Sequence, residues 1–140
     1  MKRRALVLLV VLIPAGLATK VYSGPGEVWV RAHAGGFLYV LFWSLLGFLL
    51  FPRRAPWAVA TVVLGVTTAF EFLQLWKPPP LEAVRGTSIG RTLIGSSFSW
   101  ADLPYYGLGA LAAVAAWKAL VRPGDGARKE PAPTRPGGRA

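Results

Sequence analysis

A chain of 140 residues with 54% apolar residues, a net charge of +10 and no cysteine excludes several classes at once. There is no disulfide framework and no thiolate metal site, and one histidine, His33, cannot build a zinc site alone. Lys and Arg cluster beside apolar blocks and in the tail rather than in a basic stripe interleaved with aromatics, which argues against nucleic acid as a partner.

In chain order the apolar residues form four blocks with few charges: Ala5–Thr19, Ala34–Phe51, Trp57–Trp76 and Trp100–Val121. Helices of this kind cross a hydrocarbon core of about 30 Å at about 1.5 Å per residue. The expected fold is an all-α integral membrane domain over residues 1–121, a bundle of four transmembrane helices (about 5–19, 34–51, 57–76 and 100–121) with a structured outer loop between helices 3 and 4. The first block is short and holds Pro14 and Gly16. With KRR ahead of it, it also reads as a signal peptide cleaved near residue 18. An uncleaved helix is the preferred reading, and the loop assignments are the same either way. The turn FPRRAP carries Arg53 and Arg54 between Pro52 and Pro56. These two, Lys2, Arg3, Arg4, Lys118 and the basic tail fall on one side, whereas Lys20, Arg31, Lys77, Arg85 and Arg91 fall on the other. The positive-inside bias therefore places both termini in the cytoplasm. Residues 122–140 are rich in Pro, Gly, Arg and Lys, cannot bury enough surface to offset ordering entropy, and are expected to be disordered against anionic headgroups.

In the third block, helical spacing puts Thr67, Thr68, Glu71 and Gln74 on one stripe. Glu71 lies five residues before the anchor Trp76, roughly 7–8 Å below the outer surface. A carboxylate at that depth has to face the bundle, pair, or hold its proton. The fourth block opens with Ser99 and Asp102 spaced as a capping box, and Asp102, Tyr106, Gly109, Ala113 and Ala116 share one face. The small residues there allow close helix approach. Blocks three and four are expected to pack together, bringing Glu71, Gln74, Asp102, Tyr105 and Tyr106 to one level. The connecting loop KPPPLEAVRGTSIGRTLIGSSFS is long, partly apolar and expected to fold back on the membrane surface, with Gly86, Gly90 and Gly95 shaping turns. The opposite outer loop, KVYSGPGEVWVRAHAGG, supplies Lys20, Tyr22, Trp29 and Arg31.

The stretches TKVYSGPGEVWVRAHAGGFLYVLFW and FEFLQLWKPPPLEAVRGTSIGRTLIGSSFSWADLPYYGLG resemble the bacterial membrane family catalogued as domain of unknown function 2809, in order and up to about residue 121. That resemblance implies a four-span layout in a bacterial cytoplasmic membrane and no assigned activity. A fainter similarity, to VanZ-like proteins, rests on Glu71, Gln74, Arg85, Asp102 and Gly109. Proteins of that type are associated with resistance to teicoplanin-type glycopeptides.

The candidate ligand-binding residues are Glu71, Gln74, Arg85, Arg91, Asp102, Tyr105, Lys20 and Arg31. Glu71 reads either as a proton carrier or general acid-base group, or as a structural partner of Arg85 or Arg91. The two arginines either fork an anionic headgroup or pair with Glu71, Glu82 or Asp102. Asp102 reads first as a cap, Tyr105, Tyr106, Trp76 and Trp100 as interfacial belt residues, and His33 as a surface residue. No nucleophile constellation emerges, since Ser96, Ser97 and Ser99 have no recognisable base partner, and no cofactor is implied. Two functions remain open. In one, the cluster recognises the anionic head of a membrane lipid or lipid-linked envelope intermediate. In the other, the protein is an assembly component or transporter subunit, alone or as a homo-oligomer, and the cluster only locks the loop. A small proton-coupled transporter is a third reading, with few spans and no inverted repeat to support it.

Overall fold

The computed structural model describes residues 2–94 and 98–121, all of its regular structure helical. The expectations for the tail, Gly95, Ser96 and Ser97 fall outside those residues. Helix α1 (Lys2–Val21) runs through Pro14. Helix α2 (Glu27–Leu50) is 24 residues long and is π-helical over Val30–Ala34 before continuing as an α-helix over Gly35–Leu50. It begins seven residues earlier than the apolar block, so half of the expected outer loop is helix. Gly26, with φ 72°, supplies the left-handed turn that starts it. Helix α3 (Pro56–Leu73) opens with proline in its first turn, where a missing N–H is harmless. The long connector is not extended: Pro79–Gly86 forms α4 and Ser88–Ile94 forms α5. Helix α6 spans Asp102–Val121.

Among the described residues three helices, α1, α2 and α3, are long and apolar enough to cross a membrane. Their outward surfaces agree, because Val7, Val10, Leu17, Val62 and Val66 point away from the core yet are apolar. A helix that is apolar on every face is a membrane or deep-core helix. Helix α6 is of similar length and sits inside this group, packing most extensively on α2 and next on α3.

Small residues set that packing. A Cβ placed on Gly109 would lie 2.5 Å from the Phe37 carbonyl oxygen, and one on Gly36 would lie 2.5 Å from the Tyr106 ring. The face containing Gly109 thus meets α2 at close range, while α6 also packs on α3. The contacts Gly36 with Tyr106 and Phe48 with Trp117 show that α2 and α6 run in the same direction. Gly47 against Val59 and Lys118 over Trp57 show that α3 runs opposite to both. Below the polar end the core is Leu9, Leu12, Val40, Leu45, Phe48, Ala60, Ala110, Ala113 and Val114. The C-termini of α1 and α3 and the N-termini of α2 and α6 therefore gather at one end, where the polar residues collect.

Candidate functional site

Glu71 ends α3 with its side chain turned into the bundle, 2% exposed. Its carboxylate collects donors from three places. The Ser99 backbone N–H donates to Oε1 at 2.8 Å, the Tyr106 hydroxyl to Oε2 at 2.8 Å, and Gln74 Nε2 to Oε2 at 3.3 Å. The expected ion pair to Arg85 or Arg91 does not form. A carboxylate removed from water needs its lone pairs filled, and neutral donors fill them here without adding a second charge. Tyr106 is correspondingly a core residue at 8% exposure, not a belt residue.

Arg85 goes elsewhere. Buried at 5% exposure, it donates to the carbonyls of Leu73 at 2.8 Å and Trp76 at 3.1 Å, and to Glu82 Oε1 at 2.6 Å. The carbonyls at the end of a helix have no intrahelical partners. Arg85 adds a bond to the last carbonyl of α3, at Leu73, which also accepts the Trp76 N–H, takes the Trp76 carbonyl just beyond the helix, and so fastens α4 to the end of α3.

The capping box expected at Ser99 and Asp102 is also replaced. Regular helix begins at Asp102, the Ser99 N–H is taken by Glu71, and Asp102 Oδ1 accepts from His33 Nδ1 at 2.7 Å. His33 is not a simple surface residue: it sits in the π-helical turn of α2, with its ring stacked on Tyr105 at a centroid distance of 4.6 Å. The Tyr105 hydroxyl accepts in turn from Trp29 Nε1 at 2.8 Å. An isolated π-turn rotates the following side chains relative to the α-helical register, and such turns recur at functional sites.

Between α1, α2, α3 and the start of α6 lies a cavity of about 670 Å³. Its lower wall is apolar, with Leu12, Ile13 and Leu17 from α1 and Leu38, Phe42 and Trp43 from α2. Thr67, Glu71, Gln74, Tyr106, Asp102 and His33 form a polar side, and Lys20, Arg31 and Arg91 line it from three different elements. Arg31 is tied to Glu27 at 3.1 Å and donates to the Tyr22 carbonyl at 2.7 Å. Among the described residues, neither Lys20 nor Arg91 has a carboxylate partner. Tyr39, whose hydroxyl donates to the Leu93 carbonyl at 3.1 Å, ties α5 to the cavity wall and so holds Arg91 beside it. No group of three His, Asp or Glu side chains among the described residues could hold a metal ion.

Residues 26–110 match the model of the family described as "Protein of unknown function (DUF2809)". The chain belongs to that family. The matched stretch carries Arg31, His33, Glu71, Gln74, Arg85, Arg91, Asp102 and Tyr105, while Lys20 and all of α1 precede it. No solved structure matches the chain.

Of the expected site residues, Glu71, Gln74, Arg91, Asp102, Lys20 and Arg31 line one cavity in this member of the DUF2809 family, whereas Arg85 and Tyr105 do not. His33 is the residue that sequence reasoning missed. The available signal was its setting in AHAGG, where small neighbours permit another helix to come close.

Proposed function

We propose that this protein is a four-span membrane protein that recognises an anionic amphiphile, a phosphate-bearing head on an apolar chain, at the outer leaflet of a bacterial cytoplasmic membrane. The observation that carries the reading is the cavity's two-part character: Lys20, Arg31 and Arg91 converge on a space whose lower wall is apolar. Its volume lies within the range of small-molecule sites. The Lys20 ammonium and the Arg91 guanidinium, which have no carboxylate partner among the described residues, suit a phosphate, Arg31 joins them while tied to Glu27, and the wall below suits the chain attached to it. In this reading α6 is the fourth span, α4 and α5 lie on the outer surface, and Lys2, Arg3, Arg4, Arg53, Arg54 and Lys118 mark the cytoplasmic side with both termini. The directions of α2, α3 and α6 support it, since Lys118 lies over Trp57 at the end opposite the cavity's polar side.

A second reading, an assembly or transporter subunit with no ligand of its own, draws on the internal satisfaction of Glu71 and Arg85. Native mass spectrometry of the detergent-purified protein separates the two. The headgroup reading expects a retained anionic lipid whose affinity falls about a hundredfold in the double variant Lys20→Ala and Arg91→Ala, roughly the effect of losing two charged hydrogen bonds. The retained mass also tells a glycerophospholipid from a lipid-linked envelope intermediate. Absence of any selective lipid in the wild type would leave the subunit reading.

A further inference from the structure

We infer that His33 is a further contact of the bound headgroup and that the headgroup binds together with a proton taken up at His33 Nε2; this rests on the anionic-amphiphile reading above. The ring is fixed on two sides. Nδ1 faces Asp102 Oδ1 at 2.7 Å, and one face stacks on Tyr105 with an interplanar angle of 18°. A carboxylate only accepts hydrogen bonds, so Nδ1 is the nitrogen that carries hydrogen in the neutral ring. Nε2 is then a bare lone pair. Among the described residues it has no hydrogen-bond partner, and His33 lines the cavity with Asp102 and the three cations.

A lone pair repels a phosphate oxygen, which is itself only an acceptor. With a proton from solvent on Nε2, the same nitrogen donates to that oxygen and adds a fourth positive charge to the site. Nδ1–H remains on Asp102 throughout, no covalent bond in the ligand changes, and dissociation returns the proton to water. His33 thus becomes the group whose state decides how well the head is held, while Lys20, Arg31 and Arg91 supply a constant attraction. The other titratable and charged groups around the cavity are Lys20 on α1, Arg31 beside His33 on α2 and its partner Glu27, Tyr39 on α2, Glu71 on α3, Arg91 on α5, and Asp102 and Tyr106 on α6, with Tyr105 behind the ring.

The test uses the full chain in detergent and a short-chain phosphatidylglycerol, whose phosphodiester stays charged across the range examined. Calorimetric titration near pH 7 in two buffers of different ionisation enthalpy counts protons exchanged with the wild type directly. Net uptake is expected, with affinity rising about tenfold from pH 8 to pH 5.5, the interval in which an imidazole ordinarily changes charge. In His33→Gln the uptake should vanish and the affinity become flat with pH, while Glu82→Gln, outside the cavity, should keep the wild-type slope. Binding with no proton uptake in the wild type overturns the inference and leaves the headgroup reading standing. Uptake that persists in His33→Gln assigns the proton to another group and overturns it too. No binding at any pH overturns both.

Discussion

Two sets of charged residues stand at the same end of this bundle and differ in one respect. Glu71 and Arg85 are buried, and each spends its hydrogen bonds on the protein itself: Glu71 on Ser99, Tyr106 and Gln74, Arg85 on Leu73, Trp76 and Glu82. Lys20 and Arg91 are exposed, line the cavity, and have no carboxylate partner among the described residues. A buried charge persists only where most of its lone pairs or protons are met: Glu71 receives three donors, and Arg85 reaches three acceptors while its Nε has no partner among the described residues, a pattern that fits architecture. Charges on a rim face no such demand, and it is on their placement from separate elements that the proposed headgroup reading rests. The pair a reader of the sequence would choose for chemistry is the pair that holds the end of the bundle together.

The largest effect should come from removing the carboxylate. Glu71→Ala leaves the Tyr106 hydroxyl and the Ser99 N–H without an acceptor in a buried place, and should destabilise the protein by about 3 kcal/mol or more. Glu71→Gln keeps one acceptor oxygen for the Ser99 N–H and an amide that the Tyr106 oxygen can accept from, so it should lose only about 1 kcal/mol. Unfolding of purified protein in detergent, followed by tryptophan fluorescence, measures both. Equal loss in the two variants would mean that the negative charge itself, rather than the acceptor geometry, is what the site requires.

Much of this arrangement was legible before any coordinates. The stripe of Thr67, Thr68, Glu71 and Gln74 follows from a 3.6-residue repeat, and all but Thr68 are buried; the close face at Gly109 follows from side-chain size, though it meets Phe37 and Val40 of α2 rather than the third block it was expected to meet. What was not legible was partner choice. Arg85 and Glu71 are oppositely charged and near each other, so pairing was the natural expectation, but three consecutive prolines from Pro78 turn the chain into α4 and present Arg85 to the end of α3 instead. His33 and Asp102 are 69 residues apart, and nothing local links them. Their meeting depends on α2 starting early and on its π-turn, neither of which hydropathy reports, since the turn VRAHA is not apolar. The same early start moves Arg31 from an outer loop onto a helix beside the cavity.

An intermediate effect is expected at Arg85. Replacing it with alanine removes its bonds to the carbonyls of Leu73 and Trp76 and detaches α4, and should lower stability by about 2 kcal/mol, less than Glu71→Ala because the Leu73 carbonyl keeps the Trp76 N–H and water can reach the Trp76 carbonyl once the side chain is gone. Retained lipid per folded molecule should stay as in the wild type. A folded Arg85→Ala protein that had lost its lipid would erase the distinction between the two sets of charges.

The smallest effect on stability belongs to Arg91. It is exposed, has no ion-pair partner among the described residues, and lines the cavity from α5, whose Leu93 carbonyl accepts from Tyr39. Truncating an exposed, unpaired side chain leaves no buried group unsatisfied, so Arg91→Ala should melt where the wild type does. Tyr39→Phe keeps the ring and removes only the hydrogen bond, so it should also melt nearly unchanged while letting α5 shift and carrying Arg91 away from the rim. If Arg91 acts on a ligand, both variants should retain less anionic lipid at unchanged stability. If Tyr39→Phe left lipid occupancy untouched while Arg91→Ala reduced it, the guanidinium would be finding the headgroup through its own flexible reach, and the bond between Tyr39 and Leu93 would not be needed to hold it at the rim.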